Sequence, residues 1–493
     1  MTVFSRRSFI AGVAAVPFVA WFEKRTLAEG PAVRYDIRSP DGQRMLRIYA
    51  EAVASMGRIP IPQPTSWAFH WYTHWVRGDS DKPTEIARNF PQPGPARQLA
   101  QDMWSTCQAH DNDDEHEQYF LPWHRMYVFF LEQIVREVTR ERSFTLPYWD
   151  YTVTDAAIHG VLPAQFRQSG DPVFKSLYRP NRNKTGRGYA DVNDGDPIDK
   201  YVPGALTLVA LGQGAYLPYG ALPGFNSLLD NDLHGNIHEL VGDGTNMGNV
   251  PWAANDPVFW VHHSNIDRLW ASWNKNGGVN PGGSWMDHAF VFADGTGTRV
   301  SAKVGDFTDI GVLKYTYDRF EPAPPGFSPQ KGTMPDTSTL LAVVRGRVAL
   351  GAKPVRGRLE PTAVGAAPPT SIAARVAALA PNRRVYLVVR GRRADVAPGV
   401  LYQVYLDLPE NAASADAAAH LVGTINFFDA VKHPGHDAPA STARFVSFDI
   451  TDVAKALHAK QQLTDAPTVT VVPLGDPADG ANASVEEVTL VEQ

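Results

Sequence analysis

The chain has 493 residues, 44% of them hydrophobic and 20% charged, enough apolar side chain for a large core and too much for a disordered polymer. Its 46 Lys and Arg against 52 Asp and Glu leave a formal charge of −6 without basic blocks, which excludes a binder that works by neutralising nucleic-acid phosphates. The single cysteine, Cys107, excludes an intrachain disulfide framework and any metal site built from cysteine alone.

Residues 5–10 read Ser-Arg-Arg-Ser-Phe-Ile and lead into an apolar run from Phe9 to Phe22, with small residues near Ala28. The run is shorter than the roughly 20 residues a membrane helix needs. Basic start, short apolar stretch and small residues predict a twin-arginine export signal over 1–28, hence a periplasmic or secreted protein. No later stretch is long and apolar enough for a membrane anchor.

From about residue 42 helical spacing dominates. Leu46, Tyr49, Ala50 and Val53 fall on one face, as do Trp67, His70, Trp71, His74 and Trp75, and then His124, Tyr127, Val128, Leu131 and Val135. The Gly/Asn/Asp/Pro-rich stretch 179–225 predicts long loops. Two more helical patterns follow at His234, Ile237, His238 and Val241, and at His263, Ile266, Asp267 and Trp270. Glu-Pro-Ala-Pro-Pro-Gly-Phe-Ser-Pro at 321–329 has linker composition. Beyond it, 340–345, 385–389, 400–406, 443–450 and 468–472 predict short strands separated by turns, as in an antiparallel β-sandwich. An Ala-rich patch at 412–419 predicts a loop or short helix. The organisation expected is a mainly α domain over 29–325, a linker at 326–339 and a sandwich domain over 340–493.

Histidines sit at ligand spacing. His234 and His238 are four apart, so on a helix both rings project from one face. The zinc-protease motif shares that spacing, but its glutamate base is replaced here by Gly235. Upstream lies Phe120-Leu121-Pro122-Trp123-His124-Arg125, and downstream Asp256-Pro257-Val258-Phe259 runs on to His262-His263 and Asp267-Arg268-Leu269-Trp270. Imidazoles suit copper, zinc, iron and nickel, and a bundle core with inward histidines is a usual place to hold them.

These blocks, with Leu-Pro-Tyr-Trp-Asp at 146–150 and Tyr-x-Tyr at 315–317, resemble the tyrosinase and catechol oxidase (polyphenol oxidase) family over about residues 40–320. The resemblance implies a four-helix core with two copper ions, three histidines on each, and O2 as co-substrate. For the second copper it implies His234, His238 and His263, with His262 a neighbour. For the first it implies His124 and His74, with His70 one turn earlier as the alternative to His74. The remaining ligand is His110, after Cys107 in a Cys-x-x-His segment, or His116, eight residues before His124. A thioether from Cys107 to a ligand histidine and a buried free thiol both stay open. Phe259 is expected over the second copper as a gate that stacks on the phenol, and Asp267 is expected to pair with Arg125.

The implied activity is oxidation of o-diphenols to o-quinones, together with ortho-hydroxylation of monophenols such as tyrosine. Hydroxylating relatives place a Glu eight or nine residues before the first histidine of the second site and an Asn after it. Here those places hold Asn226 or Phe225, and Gly235, so a catechol oxidase or o-aminophenol oxidase is the alternative, and an O2 carrier the alternative of another class. The strand-rich C-terminal region resembles that of plant polyphenol oxidases, either shielding the copper site or joining copies of the chain.

Overall fold

The computed structural model describes residues 31–107, 118–184, 189–330, 338–363, 371–411, 414–431 and 445–493. The export signal, His110, His116 and part of the expected linker therefore lie outside the described residues. No helix among the described residues is long and apolar enough to cross a membrane.

Six helical segments position the histidines: α1 (Pro40–Met56), α2 (Trp67–His74), α3 (Phe120–Thr139), α4 (Gly224–Leu229), α5 (Gly235–Val241) and α6 (Pro257–Lys275). Their starts are written in local chemistry. Ser39 and Ser66 cap α1 and α2 by accepting the Gly42 and Phe69 amides at 3.0 and 3.1 Å. Asp256 caps α6 through Val258 N at 3.0 Å, and Pro257 occupies the first turn, where its missing N–H costs nothing. The same Asp256 carboxylate takes two bonds from buried Arg182, at 2.9 and 2.8 Å, so the Asp-Pro pair both starts the helix and ties it to a distant loop.

Helix α3 packs along α1 and α6, whereas α2 packs against shorter helices, and between α4 and α5 the chain widens into a π turn, Asp230–His234. Both α3 and α6 are buried on nearly every side, unlike a helix with a single apolar stripe, because loops and a β-hairpin (Ala289–Ala293 with Arg299–Lys303) cover their outer faces. Ala32–Arg34 pairs in parallel with Tyr315–Tyr317, closing the first segment of the domain onto its last.

The C-terminal region folds as two antiparallel sheets around a shared apolar core. One has the strand order Leu421–Ile425, Tyr402–Leu406, Thr468–Pro473, Val355–Arg358. The other runs Phe445–Asp449, Val385–Arg390, Glu487–Glu492, Thr339–Val344, Glu360–Pro361. Tyr402–Leu406 alternates buried and half-buried residues as one covered face requires, but Val385–Val389 is buried throughout. The reason is a second neighbour. Val385, Leu387 and Val389 face the sheet core, while Tyr386 and Val388 pack with Phe445 on Ala221 of the α-helical domain. The chain terminus reinforces that contact: Gln493 Oε1 accepts the Ala221 amide at 2.6 Å. The Ala-rich patch contains a short helix, Ser414–Ala418. The strands Val355–Arg358 and Glu487–Glu492 are too polar in sequence to announce themselves.

Candidate metal centre

Helices α2, α3, α5 and α6 and the π turn bring two groups of donor atoms together. His74, Cys107 and His124 form one, and His234, His238, His262 and His263 the other; within each group the ligand atoms lie within 4.8 Å of one another, and every member is buried. The groups abut, because the His124 and His263 rings stack with centroids 4.1 Å apart and planes 7° apart.

Backbone carbonyls set the tautomers. Nδ1 of His74, His124, His234 and His238 faces the carbonyls of Val250, Phe120, Asp230 and Met247 at 3.1, 2.9, 3.2 and 2.8 Å. A carbonyl oxygen only accepts, so each of these rings carries its proton on Nδ1 and its lone pair on Nε2. Burial and the neighbouring imidazoles hold His124, His238 and His263 well below the ordinary histidine range, which keeps the rings neutral and able to ligate. Nε2 of His234 and His238 and both nitrogens of His263 are buried without a hydrogen-bond partner among the described residues. Unsatisfied buried nitrogens at one point are costly unless something electrophilic takes their lone pairs, and a metal ion meets that need.

The other expected residues fall as follows. His70 turns away: its Nε2 donates to the Pro64 carbonyl at 2.6 Å, the opposite tautomer from His74. His262 joins the second group as a fourth imidazole, with Nδ1 3.1 Å from the Tyr151 hydroxyl and its ring parallel to that of His234. Cys107 Sγ is 3.6 Å from His124 Nε2. Phe259 is wholly buried with its centroid 4.2 Å from His263 and 4.9 Å from His74, so it packs between the two groups.

Behind the histidines Asp267 gathers positive charge. Arg125 Nε donates to one carboxylate oxygen. The other accepts from Arg34 at 2.8 Å and from the Tyr315 and Tyr317 hydroxyls at 2.6 Å each. Arg34 also reaches Glu132 on α3, at 2.9 and 3.0 Å. The two guanidiniums hold Asp267 below the usual carboxylate range despite burial. Since Asp267 lies one turn after His263 and Arg125 follows His124, the network locks the two ligand helices in register. The Tyr-x-Tyr pair was visible in sequence; Arg34 had no local signal.

Over the second group sits a residue that sequence reasoning missed. Phe428, from the C-terminal region, lies on His238 at 3.9 Å and 11° and edge-on to His234 at 5.7 Å. The two acids of the π turn before α5 are engaged. Asp230 Oδ1 is 3.0 Å from His234 Nδ1, on the side of the ring away from Nε2. Asp232 accepts from Asn236 at 3.0 Å, and burial pushes it up to about 7. Asn226 is also occupied, accepting from the Leu121 amide at 3.2 Å and the Tyr216 hydroxyl at 2.9 Å.

Residues 65–203 and 211–276 match the family model for the common central domain of tyrosinase. Over these residues the chain is similar to tyrosinases and polyphenol oxidases. The tyrosinase-type domain is followed at 283–324 by a match to the polyphenol oxidase middle domain, and residues 339–493 match a domain of unknown function, DUF7868. Among curated relatives, tyrosinase HcTyr1 of a Hahella strain is 32% identical over 294 residues, covering 55% of this chain and 59% of that protein. A chloroplastic polyphenol oxidase of Malus domestica is 25% identical over 387 residues, covering 72% and 64%. The chain thus spans less than two thirds of the length of these relatives. Among solved structures, latent apple tyrosinase superposes with a TM-score of 0.60 at 19% identity, over 94% of this chain and 98% of that one, a likeness of fold that includes the C-terminal sheets.

Proposed function

We propose that this protein is a copper-dependent oxidase of phenols that uses O2, converting o-diphenols to o-quinones, with ortho-hydroxylation of monophenols as its weaker activity. The observation that carries the reading is the pair of abutting, buried histidine groups whose Nε2 lone pairs converge. His74 and His124, with His110 or His116 as the third nitrogen, hold the first copper; His234, His238 and His263 hold the second. Bound there, the two ions supply the two-electron exchange between O2 and the phenol.

The chain supplies the rest. The carbonyls on Nδ1 fix each imidazole's tautomer and direction so that Nε2 faces the metal, and burial keeps His124, His238 and His263 neutral. Phe259 offers an aromatic edge between the groups against which a phenol ring packs. Among the described residues Asn226 stands in the place of a base and is committed to Leu121 and Tyr216, while Asp230 stands behind His234. Diphenol oxidation needs no such base, which ranks it above hydroxylation.

The C-terminal region, in this reading, is a shield: Phe428 covers the face of the second group that a phenol must approach. An export signal at 1–28 would send the protein out of the cytoplasm already folded. The decisive experiment is metal analysis with oxygen uptake on catechol, tyrosine and an o-aminophenol, for the whole chain and for the helical domain freed of its C-terminal region. Two coppers per chain and uptake on catechol that rises once the C-terminal region is removed support the proposal. Zinc, or two coppers without uptake on any of the three, overturns it; uptake on the aminophenol alone reassigns the substrate.

A further inference from the structure

The α-helical domain meets the C-terminal region at the start of α5, where Asn426 enters beside Gly235. A β-carbon built on Gly235 would stand 2.6 Å from Asn426 Oδ1, 2.7 Å from its Nδ2 and 2.8 Å from its Cγ, so nothing larger than glycine fits while Asn426 is seated. Asn426 is 1% exposed and pinned: Nδ2 donates to the Asn231 carbonyl, within the π turn, at 2.9 Å and to Asn236 Oδ1 at 3.0 Å. Arg392 holds its neighbours, bonding the Asn426 carbonyl and Asn231 Oδ1 and pairing with Asp429 at 3.1 Å. Two residues on, Phe428 lies on His238, while Phe427 between them turns into the sheet core. Just past the strand Leu421–Ile425, Asn426 and Phe428 face the helical domain and Phe427 faces home.

A glycine costs about 1 kcal/mol against alanine inside a helix. Gly235 occupies such a position, and its helix conformation is ordinary, so its backbone does not require glycine. The slot does. We infer that Gly235 and Asn426 form a latch, slot and peg, that seats the C-terminal region and thereby sets Phe428 on His238. This rests on the shielding role proposed above, and it places the control of shielding at a contact separate from the histidines.

The test uses the full, copper-loaded chain with a specific protease site introduced between Lys331 and Asp336. After cleavage, the two pieces of the unsubstituted latch co-elute on size exclusion and oxygen uptake on catechol stays low. With Gly235→Ala the pieces separate, their mutual affinity falling by about ten- to hundredfold, the range expected of an overpacked contact. Uptake by the uncleaved variant rises toward that of the freed helical domain. Asn426→Ala, which leaves the metal-bearing helix untouched, does the same through the lost hydrogen bonds. Co-elution of either variant's pieces at the unsubstituted affinity, or separation of the unsubstituted pieces on cleavage alone, overturns the latch. Pieces that separate as expected while the freed, copper-loaded domain consumes no oxygen with any phenol leave the latch standing and overturn the oxidase reading instead.

Discussion

Phe428 lies flat on His238, ring centroids 3.9 Å apart and planes 11° apart, although the two residues belong to different halves of the chain and are separated by 190 positions in sequence. The contact turns the face of His238 into an interior surface, the face by which the proposed oxidase would admit a phenol. Replacing Phe428 by alanine opens that face while leaving Asn426 seated. Oxygen uptake on catechol by the uncleaved chain is expected to rise several-fold, with the KM moving more than kcat. Unchanged kinetics would show that access is controlled elsewhere.

His74 and His70 share one helix face but carry opposite tautomers, since Val250 takes the Nδ1 proton of His74 and Pro64 the Nε2 proton of His70. His74→Ala is expected to drop the copper content from two to one per chain. His70→Ala keeps two and costs stability alone. Metal analysis of the two purified variants decides between them.

Acid should strip the metals. A ligating imidazole must be neutral, and as the pH falls protons compete with the metal for its lone pair; an ordinary histidine charges below about 6.5. Burial holds His124, His238 and His263 below that value, so retention persists somewhat under pH 6.5 and then fails as the pH falls further. Equilibrium dialysis between pH 7 and pH 4 should show copper lost on the acid side and regained on return; loss on the alkaline side instead would contradict neutral imidazole ligation.

Glu239, next to His238, is buried with neither carboxylate oxygen hydrogen-bonded among the described residues, and burial together with the charge of Asp429 pushes it up to about 8. In the unfolded chain a glutamate titrates near 4.3, so between that pH and about 8 the unfolded state ionises and the folded state does not. Stability therefore falls as pH rises through this window. Glu239→Gln removes the titration and should stabilise the apoprotein by about 1–3 kcal/mol at pH 7 and by little at pH 4.5. Urea denaturation at the two pH values measures the difference.

Asp267 answers two buried guanidiniums at once, those of Arg34 and Arg125. Asp267→Asn leaves Arg125 without its carboxylate and Arg34 with Glu132 alone, and is expected to cost about 3–5 kcal/mol, the usual penalty for breaking a buried pair from one side. Chemical denaturation reports that loss. Copper content should fall as well, because the network sets α3 and α6, and with them His124 and His263, in register.

Much of the helical domain was legible before any coordinates. Periodicity of 3.6 residues exposes a helix wherever one face is buried, so α1, α2, α3 and α6 stood out, while the serine and aspartate caps that fix where three of them begin came from the structure. The strand read at 385–389 was visible for the opposite reason: burial on both faces made it continuously apolar. Strands such as Val355–Arg358 were not, because a half-exposed strand in a short polar stretch carries no pattern strong enough to read.

The histidines that meet at the centre were likewise written in the chain, since ligand spacing on a helix is a local property and the blocks around it are distinctive. What only the folded molecule decided was everything that depends on two distant segments arriving at one place: the carbonyls that fix each imidazole's proton, the Arg34 bridge from the first strand to Asp267, and the arrival of Asn426 and Phe428 against α5. A local pattern constrains which face of an element is apolar, and chain geometry alone supplies that. It says nothing of which loop, hundreds of residues away, will cover the face, because that choice is made by packing and desolvation across the whole domain interface, where Gly235 matters for the space it leaves and Phe428 for the surface it hides.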